Sequence, residues 1–146
     1  MTGQTIIAPI AGETIILNDG PPGRPGAAGA PGGASFARIA DAALGGHRVV
    51  RALADNRVAL ASSDTAEHAE LIVGVTTHAA SEGAEINITA GGEITEASWS
   101  WAPGPVFCGV AGVLTQTPPA TGFIRQIGIA DAPDRLIIDL RPPIYL

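Results

Sequence analysis

Residues 20–34 read Gly20-Pro21-Pro22-Gly23-Arg24-Pro25-Gly26-Ala27-Ala28-Gly29-Ala30-Pro31-Gly32-Gly33-Ala34, which places glycine at every third position through five consecutive triplets. Three polyproline chains can wind around one axis only where every third residue is glycine, because no side chain fits there. At about 3 Å per residue, five triplets would span about 45 Å. The run predicts a trimeric structural protein with a collagen-like spacer, whose axial glycines are Gly20, Gly23, Gly26, Gly29 and Gly32.

The same composition also suits an extended Pro/Gly-rich linker without a triple helix. Five triplets alone would barely be stable, so folded neighbours must hold the three chains together in the first interpretation. Both interpretations make residues 20–34 a spacer between two other segments.

Residues 1–19 precede the spacer and contain two β-branched runs around a Pro/Gly turn. A lone two-stranded hairpin is marginal in water, and this one would expose several isoleucines. We therefore expect it to pack on copies of itself or to dock on a larger body, through Ile6, Ile7, Ile15 and Ile16.

Residues 35–146 follow the spacer and predict an all-β domain, a small β-barrel or β-sandwich. Aromatic residues make up only 4% of the chain, while Gly (19) and Pro (12) are abundant and the apolar runs are short. Residues 35–44 fit either a short helix or a further strand. The later strands are predicted at 47–52, 57–61, 70–76, 84–89, 92–96, 105–110, 113–116, 123–130 and 135–140.

Two segments carry more specific expectations. Residues 71–75 are apolar without alternation, which indicates a strand buried on both faces. The C-terminal Ile144-Tyr145-Leu146 follows two prolines and should pack against the domain or a neighbouring subunit.

The charge excludes some partners. The chain carries −6, so three copies would carry −18, three times that value. Such a surface repels polyanions, so nucleic acid is not expected as a partner.

No apolar stretch reaches the roughly 18 residues that a spanning helix needs, so no membrane insertion is expected. Cys108 is the single cysteine and sits in an apolar segment, as a small buried hydrophobe would.

No motif predicts catalysis, a cofactor or a metal site. Asp64, Glu67 and His68 lie close in sequence, but a solvated loop is the simpler interpretation. Trp99 and Trp101 stand two residues apart, so on a strand they would share one side. They predict either a contact with a sugar or partner surface, or a cap on the core or trimer interface.

Several blocks in order carry a resemblance to a known family. These are the triplet run, Leu44–Val50, Gly74–Ala80, Gly91–Ile94, Trp99–Gly104, Gly112–Pro119, Gln126–Ala130 and Pro142–Leu146. The order resembles the C-terminal domains of collagen-repeat fibre proteins of tailed bacteriophages. The run from Gly46 to Gly92 also resembles phage capsid cement (decoration) proteins, which are small trimeric β-domains.

The resemblance implies a non-enzymatic virion protein, assembled in the bacterial cytoplasm as a homotrimer. The first hypothesis is a short tail or baseplate fibre, with 1–19 as virion attachment, 20–34 as spacer and 35–146 as a knob that touches a host surface glycan. One alternative is a capsid decoration or head fibre protein bound to the major capsid protein. An alternative of another class is a carbohydrate-binding module.

Overall fold

The computed structural model describes residues 34–146, which form an all-β unit with two short 3-10 helices, Ala66–His68 and Val110–Gly112. The predicted all-β class with a small barrel is confirmed. The strands are β1 (Ala34–Ala40), β2 (Val49–Ala52), β3 (Arg57–Leu60), β4 (Ile72–Thr76), β5 (Glu85–Thr95), β6 (Gly104–Cys108), β7 (Leu114–Thr115), β8 (Phe123–Ile124), β9 (Gln126–Ala132), β10 (Arg135–Ile138) and β11 (Ile144–Tyr145).

The first five strands close into a barrel. Their order is β1-β3-β2-β4-β5, and β5 returns to pair with β1, which leaves none of these strands as an open edge. The β1–β3 pair is parallel and the other four pairs are antiparallel. Closure satisfies backbone donors and acceptors that an open sheet would expose. The interior is filled by Ala40, Leu44, Val50, Val58, Ile86 and Ile88.

A second sheet grows from the far end of β5. There β5 leaves the barrel and pairs with β10, followed in order by β9, β6 and β7. This sheet covers one outer side of the barrel, and the space between them is a second core. Its largest members include Ile127 and Leu136 from the second sheet, Phe123 from β8, and Val49 and Val75 from the barrel side.

Strands β2 and β4 lie between the two cores, which explains their uninterrupted apolar sequence. Val49 packs into the second core and Val50 into the barrel interior. In β4, Ile72 and Val75 face the second core, and Val73 packs against the barrel core. The prediction that residues 71–75 are buried on both faces is confirmed for Ile72, Val73 and Val75 and wrong for Leu71, which precedes β4 and is 44% exposed.

Of the two alternatives for residues 35–44, the structure has the strand: Ala34–Ala40 is β1, held between β3 and β5 by non-local hydrogen bonds. Two predicted strand ranges need correction. The predicted strand 123–130 is divided into β8 and β9, which belong to different sheets. The predicted strands 84–89 and 92–96 are one strand, β5. The register of β1 against β5 shifts between Ala34 and Ser35, and Gly92 has φ +84°. A bulge of this kind bends a strand without ending it.

The C-terminal residues are docked through their backbone. Strand β11 pairs with β8, and the Leu146 N–H donates to the Gly122 carbonyl at 3.0 Å. The side chains of Ile144, Tyr145 and Leu146 nevertheless remain 53–61% exposed. Within residues 34–146, the backbone of this tail is therefore hydrogen-bonded to the domain, while its large side chains stay exposed to solvent.

Cys108 is fully buried in the second core, as its apolar setting suggested. Burial raises the pKa of its thiol to about 12. The thiol is therefore neutral near pH 7, and the folded domain keeps it from thiol reagents. No helix among the described residues is long and apolar enough to cross a membrane.

The turn at Gly122 provides a test of the packing. Gly122 and Gly83 both have φ +81°, but a Cβ at Gly122 would overlap the Ser63 carbonyl, whereas nothing lies within 4 Å of one at Gly83. Gly83→Ala should therefore cost about 1 kcal/mol of unfolding free energy, and Gly122→Ala about 3 kcal/mol or more. Urea denaturation of both variants measures the difference. Equal costs would contradict the described contact between the two loops.

Candidate functional site

Two sets of sequence-predicted site residues fall outside the described part of the chain. These are the attachment residues Ile6, Ile7, Ile15 and Ile16, and the spacer glycines Gly20, Gly23, Gly26, Gly29 and Gly32. Their roles stay predictions. Trp99 and Trp101 lie within the described residues.

The two tryptophans lie in the loop between β5 and β6, not on a strand as the sequence interpretation assumed. The loop turns because the Trp99 N–H donates to the Glu96 carbonyl at 3.0 Å and the Trp101 N–H donates to the Pro133 carbonyl at 2.9 Å. The indoles still meet, with ring centroids 5.5 Å apart and planes tilted by 51°. Their spacing in sequence thus predicted the contact but not the backbone that makes it.

His47 extends the aromatic pair to a cluster of three rings. Its imidazole centroid lies 5.0 Å from Trp99 at a tilt of 60°. Its Nδ1 is 3.9 Å from Oε1 of Glu96. The Glu96 carboxylate accepts hydrogen bonds from the Ser98 hydroxyl at 2.8 Å and the Ser98 N–H at 3.1 Å, and these bonds lower its pKa. The cluster therefore carries a fixed negative charge at its rim.

Both indoles are half-buried and pack against the second core. The Trp101 Nε1 is buried and has no hydrogen-bond partner among residues 34–146. The tilted rings do not form one flat platform of the kind on which a sugar stacks. Their described contacts make them a cap on the core, and a ligand contact stays a prediction for their exposed parts.

Sequence reasoning missed an apolar groove of about 590 Å³ beside the second sheet. Val110 and Val113, 57% and 42% exposed, form one side together with the short helix Val110–Gly112. Pro118 and Pro119 form another side, and Ser63 and Asp64 lie at its polar end. The Thr117-Pro118-Pro119 sequence indicated a loop, but nothing in it indicated which strands the loop would face.

A polar network stiffens the loop that carries Ser63 and Asp64. Asp64 accepts hydrogen bonds from the hydroxyls of Ser62 at 2.6 Å and Thr65 at 3.1 Å, which lower its pKa. The Ser62 N–H donates to Nδ1 of His68 at 3.0 Å. Glu67 makes no hydrogen bond in this network. Among residues 34–146 no group of three or more His, Cys, Asp or Glu side chains is arranged to hold a metal ion.

A smaller recess of about 300 Å³ lies beside the C-terminal segment. There the Arg125 guanidinium donates to the carbonyls of Ala69 at 2.7 Å and Arg141 at 2.8 Å. The Tyr145 hydroxyl donates to Glu70 at 2.9 Å. These bonds tie the tail to the domain, so the recess serves as an anchor for residues 141–145.

Comparisons with known proteins give a structural likeness. No protein-family model matches the chain, and no curated protein matches it. Among solved structures, the crystal structure of the head fiber gp8.5 N base in bacteriophage phi29 is similar, with 15% identity, 73% of this chain and 94% of that chain covered, and a TM-score of 0.45.

The His68–Ser62 bond makes stability depend on pH. Burial, together with the nearby Arg51 guanidinium, lowers the pKa of His68 below its usual value of 6.5. Protonation would also remove the acceptor that the Ser62 N–H uses. The unfolded chain then binds the proton more readily, so unfolding free energy should fall as pH drops below about 6.5 towards the folded-state pKa. His68→Asn, which keeps an acceptor, should weaken this pH dependence, as thermal melts between pH 7.5 and 5 would measure.

The control is His68→Leu, which leaves the Ser62 N–H without an acceptor. It should lower stability at every pH in this range and also show the weaker pH dependence. An unchanged pH profile in both variants would exclude His68 as the titrating group.

Proposed function

We propose that this chain is a structural protein of a tailed-phage particle that works as a homotrimer. Residues 1–19 attach to the particle, residues 20–34 act as the spacer, and the β-domain is displayed at its end. The role is architectural, and its partners are two further copies of the chain and other virion proteins.

The observation that carries the proposal is that the triplet run of the sequence ends at the residue where β1 begins. Ala34 is the last residue of the fifth triplet and also the first residue of β1. Ala34 pairs with Gly91 of β5. A spacer that sets the direction of a displayed domain would need to end close to a strand of that domain in this way.

Two placements on the particle are candidates, the tail or baseplate and the capsid surface. The sequence put the tail first, yet the extent of the barrel favours the capsid. The run from Gly46 to Gly92, which resembles capsid decoration proteins, spans β2, β3, β4 and most of β5. The resemblance therefore covers four of the five barrel strands, a near-complete structural unit.

Oligomeric state and location test the proposal together. Native mass spectrometry of the full chain should give a species with three times the mass of one chain. Immunogold labelling of particles of the encoding phage should then mark the capsid surface. Label at the tail would support the fibre placement, and a monomer at micromolar concentration or unlabelled particles would contradict the proposal.

Contact with a host surface glycan is a second candidate role for the displayed domain. The exposed part of each indole supports it as a separate contact, because the two tilted rings form no joint platform and a sugar would contact one ring at a time. Glycan-array binding should be lost in Trp99→Ala/Trp101→Ala. Trp99→Phe/Trp101→Phe is the matched control, since it keeps aromatic faces and most of the core packing. No glycan signal from the wild-type chain would exclude the contact and leave the architectural role unaffected.

A further inference from the structure

Three apolar side chains form a straight row across the outer face of the second sheet. The register aligns Ile137 of β10 with Ile129 of β9, and Ile129 with Pro105 of β6. Ile129 and Ile137 are 39% and 38% exposed, and Pro105 is exposed. Their strand neighbours Leu136, Ala130 and Val106 are buried in the second core, so the row faces away from it. We call Pro105, Ile129 and Ile137 the apolar row.

The charges that flank the apolar row are already paired with one another. On one side the Arg135 guanidinium binds both carboxylate oxygens of Asp131, at 2.8 and 3.1 Å, and lies 3.9 Å from Glu93. On the other side Arg141 binds Asp139 at 2.9 Å. Arg135 faces two carboxylates, so this side of the row keeps a net charge of −1 (one guanidinium against Asp131 and Glu93), and Glu93 stands beside Ile137. The pair of Arg141 and Asp139 on the other side is neutral.

The apolar row begins close to Ala34, the residue at which the triplet run of the sequence ends. Ala34 pairs with Gly91 of β5, and Glu93, two residues further along β5, pairs with Ile137. Neighbouring strands are about 4.8 Å apart, so β10 lies about 5 Å and β9 about 10 Å from β5. The row thus extends outward from the β5 segment that also pairs with Ala34.

Three chains wound on one axis through residues 20–34 must bring their three Ala34 residues close together. The surface next to Ala34 in each copy then faces the other two copies. Near a threefold axis, each residue of that surface meets its own equivalents. The apolar row suits such a surface, since it is apolar, bordered by charges that are paired within the chain, and formed on regular strands.

We propose that the apolar row Pro105–Ile129–Ile137 is a contact between copies in the homotrimer, an inference that rests on the proposed function. The occupant of this surface is a second copy of the chain. The groove at Val110 and Val113 has no such connection with the spacer, because no pairing joins it to β1 or β5. It therefore provides an internal control.

Pyrene excimer fluorescence tests the proximity directly. Full-length Ile137→Cys labelled with pyrene maleimide should give excimer emission in the trimer, and Val113→Cys should give little. Cys108 need not be removed, since the folded domain buries it. Emission should fall when labelled chains are diluted with an excess of unlabelled chains before assembly. Equal emission from both positions would overturn the proposal.

Charge insertion tests the energetic contribution. Ile129→Glu/Ile137→Glu should weaken trimer association by more than about tenfold, because unpaired carboxylates lose water in an apolar contact. Val113→Glu should leave association unchanged. Ile129→Thr/Ile137→Thr keeps β-branched side chains and should weaken association less, which guards against misfolding as the cause. Circular dichroism should show every variant folded.

The outcomes separate this inference from the function it rests on. A monomeric wild-type chain would contradict the proposed homotrimer itself. A wild-type trimer whose association is unaffected by Ile129→Glu/Ile137→Glu would overturn the interface alone and leave the homotrimer in place.

Discussion

The pairing of β5 with three partners is the interaction on which the rest of the structure depends. Along its first half β5 lies between β1 and β4 and closes the barrel, and along its second half it pairs with β10 and starts the second sheet. One strand can belong to both the barrel and the second sheet because it bends without losing its hydrogen bonds. The bend lies at the register shift opposite Ala34 and at Gly92, which has a positive φ. Without this strand the barrel would have two open edges and the second sheet would lose its attachment.

The sequence predicted the features that depend on local pattern. Most strands lie close to their expected bounds, because turn residues and short β-branched runs specify them locally. The lack of alternation in residues 72–75 indicated burial on both faces, although it also suggested burial of Leu71, which is exposed. The neighbouring Val49 and Val50 are both buried for the same reason, since they face different cores. A strand between two cores needs apolar residues on both faces, and that requirement is visible in composition alone.

Features set by distant partners could not be predicted in the same way. The spacing of Phe36, Ile39 and Ala40 fits a helix, yet pairing with β5 and β3 makes this segment a strand. Tertiary context overrides a weak local preference. Gly91 and Gly92 indicated a turn, because nothing in the local sequence shows that the strand continues beyond them and pairs with β10. For Trp99 and Trp101 the contact was predictable from spacing, but the half-burial depends on His47 and on the second core, which are remote in sequence.

The position of β1 in the barrel has a mechanical consequence. Strand β1 is hydrogen-bonded on both edges, in parallel to β3 and antiparallel to β5. A force applied to β1 at Ala34 would therefore load ladder bonds along the strand on both of its edges. Since β5 continues into the second sheet, the same strand connects β1 to the face that holds Ile129 and Ile137. The orientation of the barrel relative to the second sheet is therefore fixed by backbone pairing along one continuous strand.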